Sequence, residues 1–176
     1  MDFANALLRL ETRLRALDGD WAVIGGLALA AHGAGRLTHD LDIVTEHRVQ
    51  PDLVGHLESL GYETLHLSRG YSNHAHEDPA MGRIDVVYVE GPTAQSLFAE
   101  AQEIEIFAGV EARVVRPEHL VAMKVLAAKN APHRRLQEMA DVVALLRATG
   151  LDPEAVRQYF ERHDMLDAWE EIRNGV

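Results

Sequence analysis

Cysteine is absent from this 176-residue chain, which excludes disulfides and thiolate metal sites and leaves carboxylate, histidine and water as ligands for any ion. Long apolar runs are absent too. No window approaches the roughly 18 consecutive apolar residues of a membrane span, and the amino terminus lacks a basic segment followed by an apolar core. The expectation is therefore no export signal, no membrane contact and a cytoplasmic location. Positive charge is scarce: 17 Lys and Arg against 28 Asp and Glu give a net charge of −11. Nucleic-acid binding rests on many phosphate contacts, so the overall charge gives RNA no support as a partner. Lys124, Lys129, His133, Arg134 and Arg135 do form a local basic stretch that a triphosphate or an acceptor backbone could use, with a solvated helix face as the competing reading. At 47% apolar and 26% charged residues, the remainder is that of a globular protein long enough to bury a substantial core.

Periodicity divides the chain into strands and helices of an α+β protein. Phe3, Leu7, Leu10, Leu14 and Leu17 recur at helical spacing behind Asp2 as N-cap, predicting a helix over 3–17. A strand follows at 21–24, then an alanine- and leucine-rich helix over 26–33, closed by Gly33 and Gly35. Further strands are predicted at about 40–45, 62–67, 83–89, 103–107 and 110–115, with a helix over 51–60 and a hairpin at Ala108-Gly109. From Pro117 onward the pattern is helical, including stretches at 152–163 and 165–173. The predicted organisation is a core with an N-terminal helix over 1–116 and a C-terminal helical segment over 117–176 packed on it.

The chemistry concentrates in Val23-Ile24-Gly25-Gly26 followed by Arg36-Leu37-Thr38-His39-Asp40-Leu41-Asp42-Ile43-Val44. Side chains on a strand alternate faces, so Asp40 and Asp42 project to the same side, roughly 6 to 7 Å apart, a spacing that suits two oxygen ligands of Mg²⁺. Glycines without Cβ atoms let the backbone approach a ligand, and the helix they open aims N–H groups at a phosphate. Either feature alone is common at turns and strand edges; together and in this order they form a nucleotide and metal site. An aspartate inside an apolar strand is costly to bury unless paired or metal-bound, which sets Asp42 and Asp85 apart from packing residues.

This string resembles the signature of the polymerase-β-type nucleotidyltransferase superfamily, and the fuller run Gly25-Gly26-Leu27-Ala28-Leu29-Ala30 through His32-Gly33, Arg36, Thr38 and Asp40-Leu41-Asp42 resembles its small bacterial branch related to AbiEii-like abortive-infection toxins. The resemblance covers roughly residues 21–146. It implies a nucleotidyltransferase-like mixed β-sheet flanked by helices, and transfer of a nucleoside monophosphate from a nucleoside triphosphate to a hydroxyl of an RNA end, a protein or a small molecule. It also implies a third carboxylate on a neighbouring strand, supplied by Asp85 in Arg83-Ile84-Asp85-Val86-Val87-Tyr88-Val89. Asp40, Asp42 and Asp85 would then hold Mg²⁺ or Mn²⁺, with Asp85 as base. Gly25, Gly26, Arg36, Thr38 and Lys124 would bind the nucleotide. A toxin–antitoxin setting implies a partner protein, with a homo-oligomer as the alternative. The rival function is a catalytically silent nucleotide-sensing or partner-binding module, against which the intact carboxylates argue.

Three further stretches carry expectations. On the helix from Pro117, Leu120, Met123 and Leu126-Ala127 are expected to face inward, with Lys124 bordering them and extending its stem across apolar surface. Gln137 and Glu138 depart from the branch's pattern while Asp141 keeps it, so Asp141 reads either as catalytic or as an ion-pair partner of Arg134 or Arg135. Ser68–Gly82, with His74, His76, Glu77 and Asp78, reads as an exposed loop rather than a metal cluster, and His32 as a hydrogen-bonded supporting residue.

Overall fold

The computed structural model describes residues 1–173. The chain divides into two compact units, one of Met1–Leu27 with Leu37–Val115, the other of Ala28–Arg36 with the chain from Arg116 onward.

The first unit is built on a seven-stranded mixed sheet. Its strands are β1 (Trp21–Val23), β2 (Asp40–Glu46), β3 (Glu63–Leu67), β4 (Tyr71–Ala75), β5 (Arg83–Val89), β6 (Gln102–Phe107) and β7 (Val110–Val114), arranged β3-β4-β5-β2-β1-β7-β6. The centre is the parallel pair β2–β5, in register from Asp40 opposite Arg83 to Glu46 opposite Val89. A parallel pair needs a crossover, and the chain between β2 and β5 supplies α3 (Gln50–Ser59) and the antiparallel strands β3 and β4. Alternation on β2 buries Leu41 and Ile43 completely and leaves Asp40 and Asp42 half-buried. Helix α1 (Phe3–Ala16) starts where the Asp2 carboxylate accepts the Asn5 N–H at 3.1 Å, and buries Leu7, Leu10 and Leu14 along one stripe. Gly109, at φ 76°, turns the β6–β7 hairpin that its sequence predicts.

Two elements of this unit escape the sequence reading. The stretch expected to be an exposed loop holds β4, in which Ser72, Asn73 and His74 are all buried. Polar side chains gave it no apolar alternation, yet it pairs with β3 and β5 on both sides and its polar groups find partners there. Helix α4 (Gly91–Glu100), between β5 and β6, was also not anticipated; it opens on Gly91 at φ 70° and Pro92 and buries Ala94, Leu97 and Phe98 at helical spacing.

The second unit is helical: α5 (Pro117–Asn130), α6 (Arg135–Thr149), α7 (Pro153–Arg162) and α8 (Leu166–Ile172), with the greater part of the short helix α2 (Gly25–Ala31). Met139, Val142, Leu145 and Leu146 of α6 are buried, and the Phe160 ring of α7 lies 5.5 Å from that of Trp169 on α8. Gly150, in the left-handed region at φ 67°, ends α6. The inward face of α5 is rotated from the expected one: Leu120, Val121, Lys124, Val125 and Ala128 are buried, while Leu126 is 44% exposed. Among the described residues no helix is long and apolar enough to cross a membrane.

Candidate active site

Asp40, Asp42 and Asp85 converge. Asp42 and Asp85 stand opposite each other in the β2–β5 register, Asp40 lies two residues along the same face, and one carboxylate oxygen from each falls within 4.8 Å of the others. Among the described residues this is the one such group of three or more histidines, cysteines or acids, so the His74–His76 stretch forms no metal cluster. Three half-buried carboxylates at this spacing repel one another, and a hard divalent cation that prefers oxygen ligands relieves the repulsion. The donor set therefore fits such an ion.

Local structure fixes each acid. The Thr38 hydroxyl, expected to bind the nucleotide, donates to Asp40 Oδ1 at 2.8 Å and so holds a carboxylate of the cluster. Asp42 packs against Gly25, which sits at φ 62°; a Cβ there would fall inside the Asp42 carboxylate. A Cβ on Gly26 would lie 2.6 Å from Thr38 Oγ1. The glycine pair thus allows the Asp-bearing segment to close on the β1–α2 turn, a requirement separate from any approach of phosphate. Gly26→Val would consequently displace Thr38 and disturb Asp40 as well as a nucleotide.

Asp85 is met from β4 by two residues that the sequence reading left out. The Tyr71 hydroxyl donates to Asp85 Oδ2 at 2.8 Å and the Asn73 amide donates to Oδ1, while Arg83 Nη2 donates to the Asn73 carbonyl at 3.1 Å. Burial, then the bond to Asp85, raises the Tyr71 hydroxyl well above the usual range, so it remains a protonated donor. The His66 ring lies 5.8 Å from that of Tyr71. The only sequence signal for these residues was the alternation Tyr-x-Asn, set among polar neighbours.

The opposite face of β4 carries a buried relay. Thr64 Oγ1 and His74 Nδ1 are 3.2 Å apart, His74 Nε2 and Ser72 Oγ 2.8 Å, and Ser72 Oγ and the Tyr88 hydroxyl 2.8 Å. Burial lowers the His74 pKa, so the folded protein keeps the ring neutral while the unfolded chain protonates it near 6.5. The resulting stabilisation is present above that value and is lost as pH falls below it. We expect the slope of unfolding free energy against pH between 7 and 5, measured by urea denaturation, to be shallower in His74→Gln than in wild type; equal slopes would mean that His74 does not titrate on unfolding.

The second unit holds the other expected residues in an ion network. Lys124 Nζ lies 2.8 Å from Glu138 and 2.7 Å from Asp141, Arg36 Nε donates to Asp141 Oδ1 at 3.0 Å, and Arg134 reaches Glu138 at 2.7 Å. Lys124, Glu138 and Asp141 are all buried, at 7, 1 and 4% exposure. Asp141 is therefore an ion-pair partner, though of Lys124 and Arg36 rather than of Arg134 or Arg135. The expected basic stretch is neutralised: Arg135 pairs with Asp167 and Glu171, and Lys129 with Asp164.

Comparison with known proteins sets this site in context. A model of the aminoglycoside-2''-adenylyltransferase family matches residues 6–114. No curated protein matches the sequence. The solution structure of the antibiotic-resistance factor ANT(2'')-Ia superposes with a TM-score of 0.68 at 15% identity, over 99% of this chain and 98% of that one. The lincomycin-bound lincosamide antibiotic adenylyltransferase LnuA gives 0.58 at 13% identity, over 82% and 96%. A nucleotidyltransferase-like protein from Paracoccidioides brasiliensis gives 0.56 at 14% identity, over 96% and 92%.

Proposed function

The chain belongs to the aminoglycoside-2''-adenylyltransferase family, and from that premise we propose that it moves an adenylyl group from ATP to a hydroxyl of a small polycationic acceptor of the aminoglycoside type. Nucleotidyl transfer to a hydroxyl is the family's chemistry. The observation that carries the proposal for this chain is the convergence of Asp40, Asp42 and Asp85 within 4.8 Å. In this reading the three acids hold Mg²⁺ or Mn²⁺, which when bound would offset the charge that develops on the phosphoryl oxygens. Asp85, facing Asp42 across the strand pair, takes the proton of the acceptor hydroxyl as its oxygen bonds to the α-phosphorus and pyrophosphate departs. Asp40, kept in place by Thr38, and Asp42, seated on Gly25, complete the set. Gly25 and Gly26 offer the nucleotide their backbone. Arg36 and Lys124 are carried as phosphate contacts on the resemblance alone, since both pair with Asp141 in the structure.

Two observations favour a cationic small molecule over an RNA end. A net charge of −11 attracts polycations and repels polyanions, and Arg134, Arg135 and Lys129 each already hold a carboxylate. The toxin-like reading uses the same three acids and differs from ours in the acceptor. Thermal melting separates them. ATP with Mg²⁺ should raise the melting temperature, and an aminoglycoside should raise it further by mass action, whereas RNA oligonucleotides should not. Asp42→Ala should lose the metal-dependent part. A shift with RNA and none with any aminoglycoside would transfer the assignment to the toxin-like reading; the same metal-dependent shift in Asp42→Ala would remove the metal from these acids.

A further inference from the structure

The strand β4 brings to Asp85 more than sheet pairing. Asn73 faces Asp85 directly in the β4–β5 register, and Tyr71, two residues away, shares its face, so both donors reach the carboxylate from one rigid element. Each carboxylate oxygen accepts one of them: Oδ2 from Tyr71 at 2.8 Å, Oδ1 from Asn73. The Asn73 amide has its own orientation set, because Arg83 donates to its carbonyl oxygen at 3.1 Å and so turns the NH₂ group toward Asp85. Asn73 is only 7% exposed, so water does not replace these contacts easily. An aspartate left to itself turns freely about its terminal torsion, which is broad and two-fold. Two donors on a fixed strand remove that freedom.

Resting on the reading of Asp85 as third ligand and proton acceptor, we propose that Tyr71 and Asn73 are positioning residues that fix the plane of the Asp85 carboxylate toward Asp40 and Asp42, with Arg83 setting the Asn73 amide. Both donors that touch the carboxylate are neutral. They orient it without cancelling its charge, whereas a lysine or arginine in their place would compete with a cation for the same oxygens. Each carboxylate oxygen can accept along two directions, so one bond apiece to β4 leaves capacity for an ion and for the acceptor's proton. The polar composition that hides β4 in the sequence follows from this role: its one face serves Asp85 through Tyr71 and Asn73, and its other face is occupied by the Ser72–His74 relay.

The test compares wild type, Tyr71→Phe, Asn73→Leu, Asp85→Asn and the double variant Tyr71→Phe/Asp85→Asn, each full length. Mn²⁺ affinity is titrated without acceptor, and kcat and KM for ATP are measured with an aminoglycoside acceptor. Tyr71→Phe should lower kcat and weaken Mn²⁺ binding by about tenfold each, the scale for a residue that orients a ligating carboxylate, with KM for ATP and melting temperature close to wild type. With Asp85 replaced by Asn, the same Tyr71→Phe change should alter Mn²⁺ affinity no further, because the group being positioned is gone. A tyrosine that only packs would cost the same in both backgrounds. Asn73→Leu should resemble Tyr71→Phe; if it does not fold, Tyr71→Phe and the double variant decide. Wild-type kcat and Mn²⁺ affinity in Tyr71→Phe, or an equal loss in the Asp85→Asn background, would overturn the proposal. Failure of the underlying reading has a different mark: Asp85→Asn itself would bind Mn²⁺ and turn over as wild type does, and the positioning role would fall with it.

Discussion

Asp42→Asn should lower nucleotidyl transfer by about 10³-fold or more, the scale of losing one member of a catalytic group that acts as a unit, while the metal-free protein melts no lower than wild type. Both halves follow from the same geometry. Three carboxylates with oxygens within 4.8 Å of one another store repulsion in the absence of an ion, and an amide in place of one of them relieves it. A site arranged for function rather than for stability shows this opposition. Gly25→Ala should have the same functional result by a different route, because a Cβ on that residue falls inside the Asp42 carboxylate and the backbone there is at φ 62°. Its melting temperature should fall, however, since a side chain at positive φ is strained. Steady-state transfer with calorimetric melting of the two variants checks the pair. Asp42→Asn retaining a tenth or more of wild-type turnover would contradict the assignment of the cluster.

Lys124→Met should destabilise the protein by about 3 kcal/mol or more in urea unfolding at neutral pH, because a buried ion pair that loses one partner leaves charge uncompensated in a dry place. Lys124 Nζ is shared by Glu138 and Asp141, which are 1 and 4% exposed; Arg134 would still face Glu138 and Arg36 would still face Asp141. The triple change Lys124→Met/Glu138→Gln/Asp141→Asn should recover part of the loss by removing the stranded charges. A cost below about 1 kcal/mol, the range of exposed ion pairs, would mean that the network is wetter than its burial indicates. ATP affinity of the folded variant, measured in parallel, separates this holding role from a phosphate contact.

How much was legible in the sequence depended on whether a residue's role showed in alternation. Asp40-x-Asp42 and Asp85 were readable because an acid inside a β-branched strand contradicts its surroundings, and the glycine pair because its position ahead of them is unusual. The central strands, α1 and the β6–β7 hairpin were readable for the same reason: apolar periodicity and turn residues carry them. β4 was not, because Tyr-Ser-Asn-His-Ala has no apolar face; its burial rests on hydrogen bonds to the flanking strands β3 and β5, which leave no periodic mark in its own sequence. With β4 went Tyr71 and Asn73, the donors to Asp85. Lys124 was placed at the edge of a stripe because charge was read as exposure, whereas Glu138 and Asp141, one turn apart on α6, make its burial affordable. The bond from Thr38 to Asp40 was not legible because the oxygen that accepts the hydroxyl is placed only once β2 has formed.

The most direct measurement is mass analysis of an aminoglycoside incubated with the protein, ATP and Mg²⁺, with pyrophosphate release followed in the same reaction for wild type and Asp85→Asn. The account predicts that the wild type converts the acceptor to a species heavier by one adenylyl group and releases pyrophosphate in equal amount, and that Asp85→Asn binds ATP and does neither. An unmodified acceptor with no pyrophosphate from a wild-type protein that binds ATP and Mg²⁺, or full turnover by Asp85→Asn, would contradict it.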